Sequence, residues 1–390
     1  MSGSRRDLPV RTEEPGSAEE AAEVLRSAAE GGFSVRTRGG GTKFNWGMPA
    51  GEPDIVLSTK KLGRLIEHNA ADLTAVIEAG VPLAEAQKAF ASAGQMLALD
   101  PPLGPSDAAT IGGVVATGDS GPLRHRYGAP RDLLLGMTVA LSDGTVAKSG
   151  GKVIKNVAGY DLAKLFAGSF GTLGLIVQVA VRLHPLPPRR VSAVGYGDDP
   201  DAFQQAAIAL AHSPLELESL DIEWPDWGGK VIARCAGAAP EPLAGEAVRL
   251  MSRAGLRAEV ETDDEYLWDG DNNRTEEGTV VRVSALPSDL SRIIRVVMRL
   301  QGSLVARAGL GICWAWLPPQ NTAGVVAAVE DLRFTLAPLP CVVLDAPKEV
   351  RDKVDLWGSA EGPEVELMRR VKSAFDPAGV CNPGVFMGGI

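Results

Sequence analysis

The stretch RTRGGGTKFNWG, residues 36–47, sets three successive glycines between an arginine and a Thr-Lys pair, directly after the strand-like run FSVRTR. Glycine tolerates left-handed dihedrals, so such a run can turn several backbone N–H groups toward one point and form a concavity suited to an anion. A plain tight turn between two strands is the other reading. Two phosphate motifs are excluded by the letters themselves. A P-loop requires GxxxxGK[ST], yet Lys43 follows Thr42, while Lys152 precedes Val153 and has Val146 where the first glycine belongs. The dinucleotide fingerprint GxGxxG fails because Phe44 takes the last glycine position and no helix opens there. A Rossmann domain binding NAD is not expected.

Composition narrows the field. A chain of 390 residues with 45% hydrophobic content is expected to divide into two domains or three, each with its own core. The formal net charge of -10 offers no basic face for phosphate neutralisation, so nucleic acid is not an expected partner. Cys235, Cys313, Cys341 and Cys381 lie far apart without a CxxC pair, so neither a zinc site nor an iron–sulfur cluster is expected, and a reducing cytoplasm fits. The opening MSGSRRDLPVRTEEPGSAEE has charges but no apolar core, and no later apolar run approaches the ~20 residues of a membrane span.

Along the chain, Ser17 with Glu20 reads as a capping box opening an alanine-rich helix that Gly31 and Gly32 stop. DIVLS and LTAVIEAG read as strands, and a helix runs from Pro82 to about Ala93 before Gly94. Asp143-Gly144 marks a hairpin within 133–148. A helix is expected near 161–167. Leu175, Val177, Val179, Val181 and Leu183 alternate as in a half-buried strand, which the prolines at 185, 187 and 188 end. A domain boundary is placed there. Residues 190 to about 345 alternate helices (near 201–211, 241–253, 289–301, 322–333) with strands (near 218–223, 230–235, 279–285, 311–317, 340–344), the pattern of antiparallel strands backed by helices. A last helix near 363–374 precedes the tail FDPAGVCNPGVFMGGI, which either dangles or docks. The tryptophans in EWPDWGG (223–229) and EYLWDG (265–270) are either partner contacts or local core caps.

Four glycine-rich stretches recur: RGGGT (38–42), TIGGVVATGDSG (110–121), GGKVIKNVAGYDLAKLFAGSFGTLG (150–174) and CNPG (381–384). Convergence on one elongated ligand with a pyrophosphate explains them together, because backbone donors add no competing side chains. Thr110 opening a helix would add its dipole toward the same anion.

These stretches, with DPPLGPSDAATIGG and RDLLLGMTVALSDGTV, occur in an order that resembles the vanillyl-alcohol-oxidase or PCMH-type flavoproteins. Within that superfamily the chain looks most like the FAD-binding (E-type) subunit of bacterial glycolate oxidase. The resemblance implies an α+β protein: a PCMH-type, two-subdomain FAD-binding domain over 1–188, an α+β, ferredoxin-like cap over 189–374, and a tail, 375–390, that returns to the flavin domain. It implies that backbone groups of Arg38, Gly39, Gly40, Gly41 and Thr42 hold the FAD pyrophosphate, with Ser106, Thr110, Gly112 and Gly113 on its other side. Gly168, Ser169, Gly171, Gly174 and Ile176 would follow the ribityl and adenine portions, and Asn382 would approach the isoalloxazine. Thr42 stands where some members carry a flavin-linked histidine, so noncovalent FAD is implied.

Related 2-hydroxy-acid dehydrogenases carry a stretch like HAGDGNxH, and the aligned stretch here is RAGLGICW, residues 307–314. Leucine, isoleucine and tryptophan neither ligate a metal nor accept a proton, and the histidines are His68, His125, His184 and His212, so no histidine-ligated metal is expected there. Arg307 and Tyr160 remain as candidates for substrate chemistry; His125 reads as a solvated loop residue. The resemblance implies a cytoplasmic hetero-oligomer, reaching the inner face of the membrane only through its partners. Those partners would be a catalytic flavoprotein subunit that oxidises glycolate or another small 2-hydroxy acid, and an iron–sulfur subunit. A stand-alone FAD dehydrogenase of another hydroxy acid and a flavin-silent scaffold are the alternatives.

Overall fold

The computed structural model of the chain describes residues 9–151, 161–225, 228–268, 278–358 and 362–390. Contacts divide it into two units, one of Met1–Ser120, Gly128–Leu186 and Ala360–Ile390, the other of Gly121–Tyr127 and Pro187–Ser359. The helix Pro363–Phe375 falls with the first unit rather than with the segment 189–374.

In the first unit, β1 (Arg11–Glu13), β2 (Val35–Arg38) and β3 (Ile55–Ser58) form a parallel sheet in the order β1-β3-β2. Helix α1 (Ala18–Gly31) covers it. Ser17 Oγ accepts the Glu20 N–H at 3.1 Å, half of the expected box, while the Glu20 carboxylate accepts from Gly16 N at 2.7 Å instead of from the cap residue. Gly32, at φ 64°, ends the helix in the left-handed conformation. The apolar stripe Ala21, Ala22, Leu25 and Ala28 packs on Val35, Ile55 and Leu57, and the same cluster takes in Leu175, Val177, Val380 and Cys381. Residues from the unit's far-separated segments therefore share one core.

A second sheet holds β4 (Leu65–Asn69), β5 (Thr74–Glu78), β7 (Leu134–Ala140), β8 (Val146–Gly150) and β9 (Leu175–Arg182), antiparallel in the order β4-β5-β9-β7-β8. β7 and β8 are the hairpin around Asp143-Gly144, with Gly144 at φ 88°. Central β9 is buried on both faces rather than half-buried, because Ile176 and Ala180 are covered as well as the alternating leucine and valines. The short pair β6 (Gln95–Met96) and β10 (His184–Pro185), with α2 (Leu83–Ala91) and α3 (Ile111–Thr117), completes this part. The expected helix near 161–167 shortens to Ala163–Phe166.

The second unit is one antiparallel eight-stranded sheet made of β11 (Arg190–Gly197), β12 (Leu217–Trp224), β13 (Gly229–Ala236), β14 (Arg257–Glu261), β15 (Thr279–Ser284), β16 (Ser303–Arg307), β17 (Ile312–Leu317) and β18 (Cys341–Asp345). Its order is β14-β11-β13-β12-β16-β17-β15-β18. Helices Glu241–Arg253, Pro200–Ala211, Leu290–Arg299 and Thr322–Leu336 lie side by side in that order, the helix-backed antiparallel sheet expected. Trp224 is buried edge-on against Phe203, and the Trp268 indole donates to Ser192 Oγ at 3.2 Å, so both are local core caps. Among the described residues no helix is long and apolar enough to cross a membrane.

Candidate cofactor site

β2 delivers the glycine loop at its C-terminal end. Among the described residues, the backbone N–H groups of Gly39, Gly40, Gly41 and Thr42 have no hydrogen-bond partner. Gly40 is exposed and Gly39, Gly41 and Thr42 are half-buried, so these amides are open to solvent or to a ligand. The loop is pinned by close approach: a Cβ on Gly40 would lie 1.6 Å from the Ala108 carbonyl oxygen. Gly41, at φ 80°, turns the chain beneath the Arg38 guanidinium.

The facing wall is α3, and there the expectation of amides aimed at an anion is corrected. Ile111 N donates to Val81 O at 2.9 Å, Gly112 N to Ala79 O at 2.8 Å, and Gly113 N to Thr110 Oγ1 at 3.3 Å. The helix opening is therefore satisfied within the protein. Gly112 serves packing, since a Cβ there would lie 2.6 Å from Ala79 Cβ.

The third wall is the tail, which docks. Cys381 forms a parallel bridge to Val35, and Asn382 N donates to Val35 O at 2.8 Å. The Asn382 side chain accepts from Thr37 N at 2.9 Å and donates to Phe170 O at 2.5 Å and Thr37 Oγ1 at 3.3 Å. It clasps the end of β2 to the turn before β9. Lys372 secures the same junction, its ammonium donating to Thr172 O at 2.7 Å, Cys381 O at 2.8 Å and Asp376 Oδ2 at 2.5 Å. Burial alone would raise the Asp376 carboxyl, but the hydrogen bonds from Lys372, Ser142 and Cys381 outweigh it and hold the group below its ordinary value.

These walls line an open cleft of about 100 Å³ within the first unit. Of the residues singled out from sequence, Arg38, Gly39, Gly40, Gly41, Thr42, Thr110, Gly112, Gly113, Gly171, Gly174, Ile176 and Asn382 line it. Ser106, Gly168 and Ser169 are not among its lining residues; Ser169 donates its hydroxyl to Phe166 O at 2.8 Å and serves the turn. Sequence reasoning missed Arg36, Lys43, Phe44, Trp46 and Val385, which also line the cleft. The alternation in RTR, which puts two arginines on one face of β2, was the available signal for Arg36. Unpaired amides, cations and the apolar residues Trp46, Leu175, Ile176 and Val385 in one lining suit a ligand with an anionic centre and a flat ring.

Arg307 stands elsewhere, in the second unit. On β16 it faces Asp221 of β12, with Nη1 at 2.5 Å from Asp221 Oδ2, and it stacks 5.0 Å from the Trp314 ring. Its carboxylate partner is internal and fully buried with it. Tyr160, with Lys155 and Asn156, lies outside the described residues. His125 is not a solvated loop residue: its Nδ1 is buried without a partner, packed against Gly309, and burial pulls the imidazole below its ordinary value. Burial pushes the Cys313 thiol up to about 12 and those of Cys235 and Cys341 up to about 11, so none is a ready nucleophile. Among the described residues no three His, Cys, Asp or Glu side chains gather as a metal site.

Residues 9–150 match the FAD binding domain family, and residues 351–386 match the C-terminal domain of FAD linked oxidases. The chain is 26% identical to glycolate oxidase subunit GlcD of Bacillus subtilis over 97% of this chain and 88% of that protein. It is 38% identical to glycolate oxidase subunit GlcE of Escherichia coli over a shorter region, 33% of this chain and 36% of that one. Its fold is similar to that of 4-ethylphenol oxidase from Gulosibacter chungangensis, with a TM-score of 0.71 at 18% identity, covering 96% of this chain and 88% of the other. The fold is that of the PCMH-type FAD oxidases, the chain is similar to FAD-linked oxidases over the two matched domains, and FAD is its cofactor.

Proposed function

We propose that this chain is the FAD-binding subunit of a glycolate, or D-2-hydroxy-acid, oxidase complex, holding FAD noncovalently in the cleft of the first unit. The four unpartnered amides of Gly39–Thr42 carry this reading. They would take the diphosphate oxygens, with Arg38 as the nearby cation, while Ile176, Leu175 and Trp46 exclude water from the rest of the slot. Thr42 has no nucleophilic nitrogen, which supports noncovalent attachment. Bound FAD supplies reversible uptake of two electrons.

The place of this subunit in the complex is read from the second unit. Where the aligned stretch of related dehydrogenases carries imidazoles, this chain has Arg307 and Trp314, and Arg307 is already neutralised by Asp221. Neither offers a free base or a free cation for a hydroxy-acid carboxylate. Substrate oxidation is therefore assigned to a partner flavoprotein, with an iron–sulfur subunit accepting electrons and this subunit's flavin mediating between them in the cytoplasm. The relatedness to both GlcD and GlcE supports such an assembly.

Reconstituting the purified chain with FAD and then adding glycolate tests this. One FAD per chain with no bleaching by glycolate alone, and bleaching once the partner subunits are added, is the expected result. Turnover by the chain alone would establish the stand-alone dehydrogenase instead, and failure to take up FAD would establish the scaffold.

A further inference from the structure

A loop that keeps four adjacent amides open to a ligand does so against a pull to fold them onto carbonyls of its own. Its rear end must be held. Thr42 leans on Gly104, where a Cβ would lie 2.7 Å from Thr42 Cγ2. Beyond it, the Lys43 side chain is one of the cleft-lining groups, yet its ammonium is directed to Asp119 Oδ2 at 3.2 Å and Pro102 O at 3.3 Å. The two side chains are only 5% and 3% exposed. Asp119 follows Gly118, the left-handed residue that closes α3. The ion pair thus ties the end of the glycine loop to the far end of the helix that forms the opposite wall.

A buried carboxylate beside an anion site is not a ligand for that anion, and a buried ion pair seldom exceeds an apolar pair in stability. What such a pair does provide is an electrostatic link between two segments that water does not screen. We propose that Lys43 and Asp119 are positioning residues: their ion pair holds the Gly39–Thr42 amides open for FAD before the cofactor arrives. This rests on the reading of the cleft as the FAD site.

The test compares the wild type with Lys43→Met, Lys43→Arg and the double variant Lys43→Met/Asp119→Leu. Three quantities are read: the FAD dissociation constant by flavin fluorescence, the Tm of the apoprotein, and apoprotein hydrogen exchange over 39–44. The double variant removes the tether without leaving a charge buried alone, so its Tm stays near wild type while its dissociation constant rises roughly 10-fold, about 1.4 kcal/mol. Exchange over 39–44 quickens, and Lys43→Arg recovers most of the affinity. A double variant with unaltered Tm and FAD affinity within twofold of wild type overturns the inference while leaving the cleft as the FAD site. A wild-type chain that binds no FAD overturns both. Should the double variant not fold, Asp119→Asn takes its place: a rise of threefold or more is expected, and an unchanged constant refutes the tether.

Discussion

Replacing Asn382 by alanine should undo the docking of the tail and, with it, the third wall of the cleft. The side chain satisfies Thr37 N–H at 2.9 Å and Phe170 C=O at 2.5 Å, and the residue is only 6% exposed. Each group left unpaired in that setting costs about 1–3 kcal/mol. Asn382 also sits at φ 43°, where alanine is disfavoured by about 1 kcal/mol more. The sum, about 3–7 kcal/mol, is a large share of the roughly 5–15 kcal/mol that holds a typical domain together. Asn382→Gly removes the same hydrogen bonds but relieves the backbone, so it should recover about 1 kcal/mol of the loss. Denaturant titrations followed by hydrogen exchange of the β2 amides report the first unit specifically. If both variants lie within about 1 kcal/mol of wild type, the clasp is not holding the tail, and the reasoning from buried unsatisfied groups fails here.

Two further outcomes concern the second unit. Arg307→Met alone strands the Asp221 carboxylate and should destabilise by about 3–5 kcal/mol, whereas Arg307→Met/Asp221→Leu should return close to wild type; urea titrations followed by tryptophan fluorescence compare them. Because burial lowers the His125 imidazole from its ordinary 6.5, the folded state binds fewer protons there than the unfolded chain. Its contribution to stability is fully present above pH 6.5 and declines as the pH falls below that value through the depressed folded-state value. A pH series of Tm should show this loss, and His125→Leu should flatten it.

Local chemistry was the legible part of the sequence. Ser17 as a cap, Gly32 as a stop and Asp143-Gly144 as a hairpin act within a few residues of themselves, and each does so in the structure. The glycine loop was legible for the same reason, since three glycines in a row leave few uses other than open amides or a tight turn. The opening of α3 was not. Its donors are taken by Ala79 and Val81, some thirty positions upstream, and nothing in TIGG announces those acceptors. Strands β11, β14 and β16 escaped notice because they are short or rich in small residues and charges, and only their neighbours in the sheet make them strands. The grouping of Gly121–Tyr127 with the second unit follows from Arg126 and Tyr127 bonding Glu216 and Glu218, pairings about ninety residues apart. Lys43 with Asp119, and Arg307 with Asp221, are likewise long-range pairs whose members look like ordinary surface charges when read singly.

Because Asn382 bonds a residue 345 positions earlier, the order of synthesis constrains when the cleft is complete. At roughly 5–20 residues per second, a ribosome that has just made β2 needs about 17–70 s more to reach the clasp. During that interval the whole second unit emerges, while the edge of β2 that will pair with Cys381 waits without its neighbour. The cleft in its finished geometry is therefore a late event in the life of each molecule, after translation of the tail rather than alongside translation of the glycine loop.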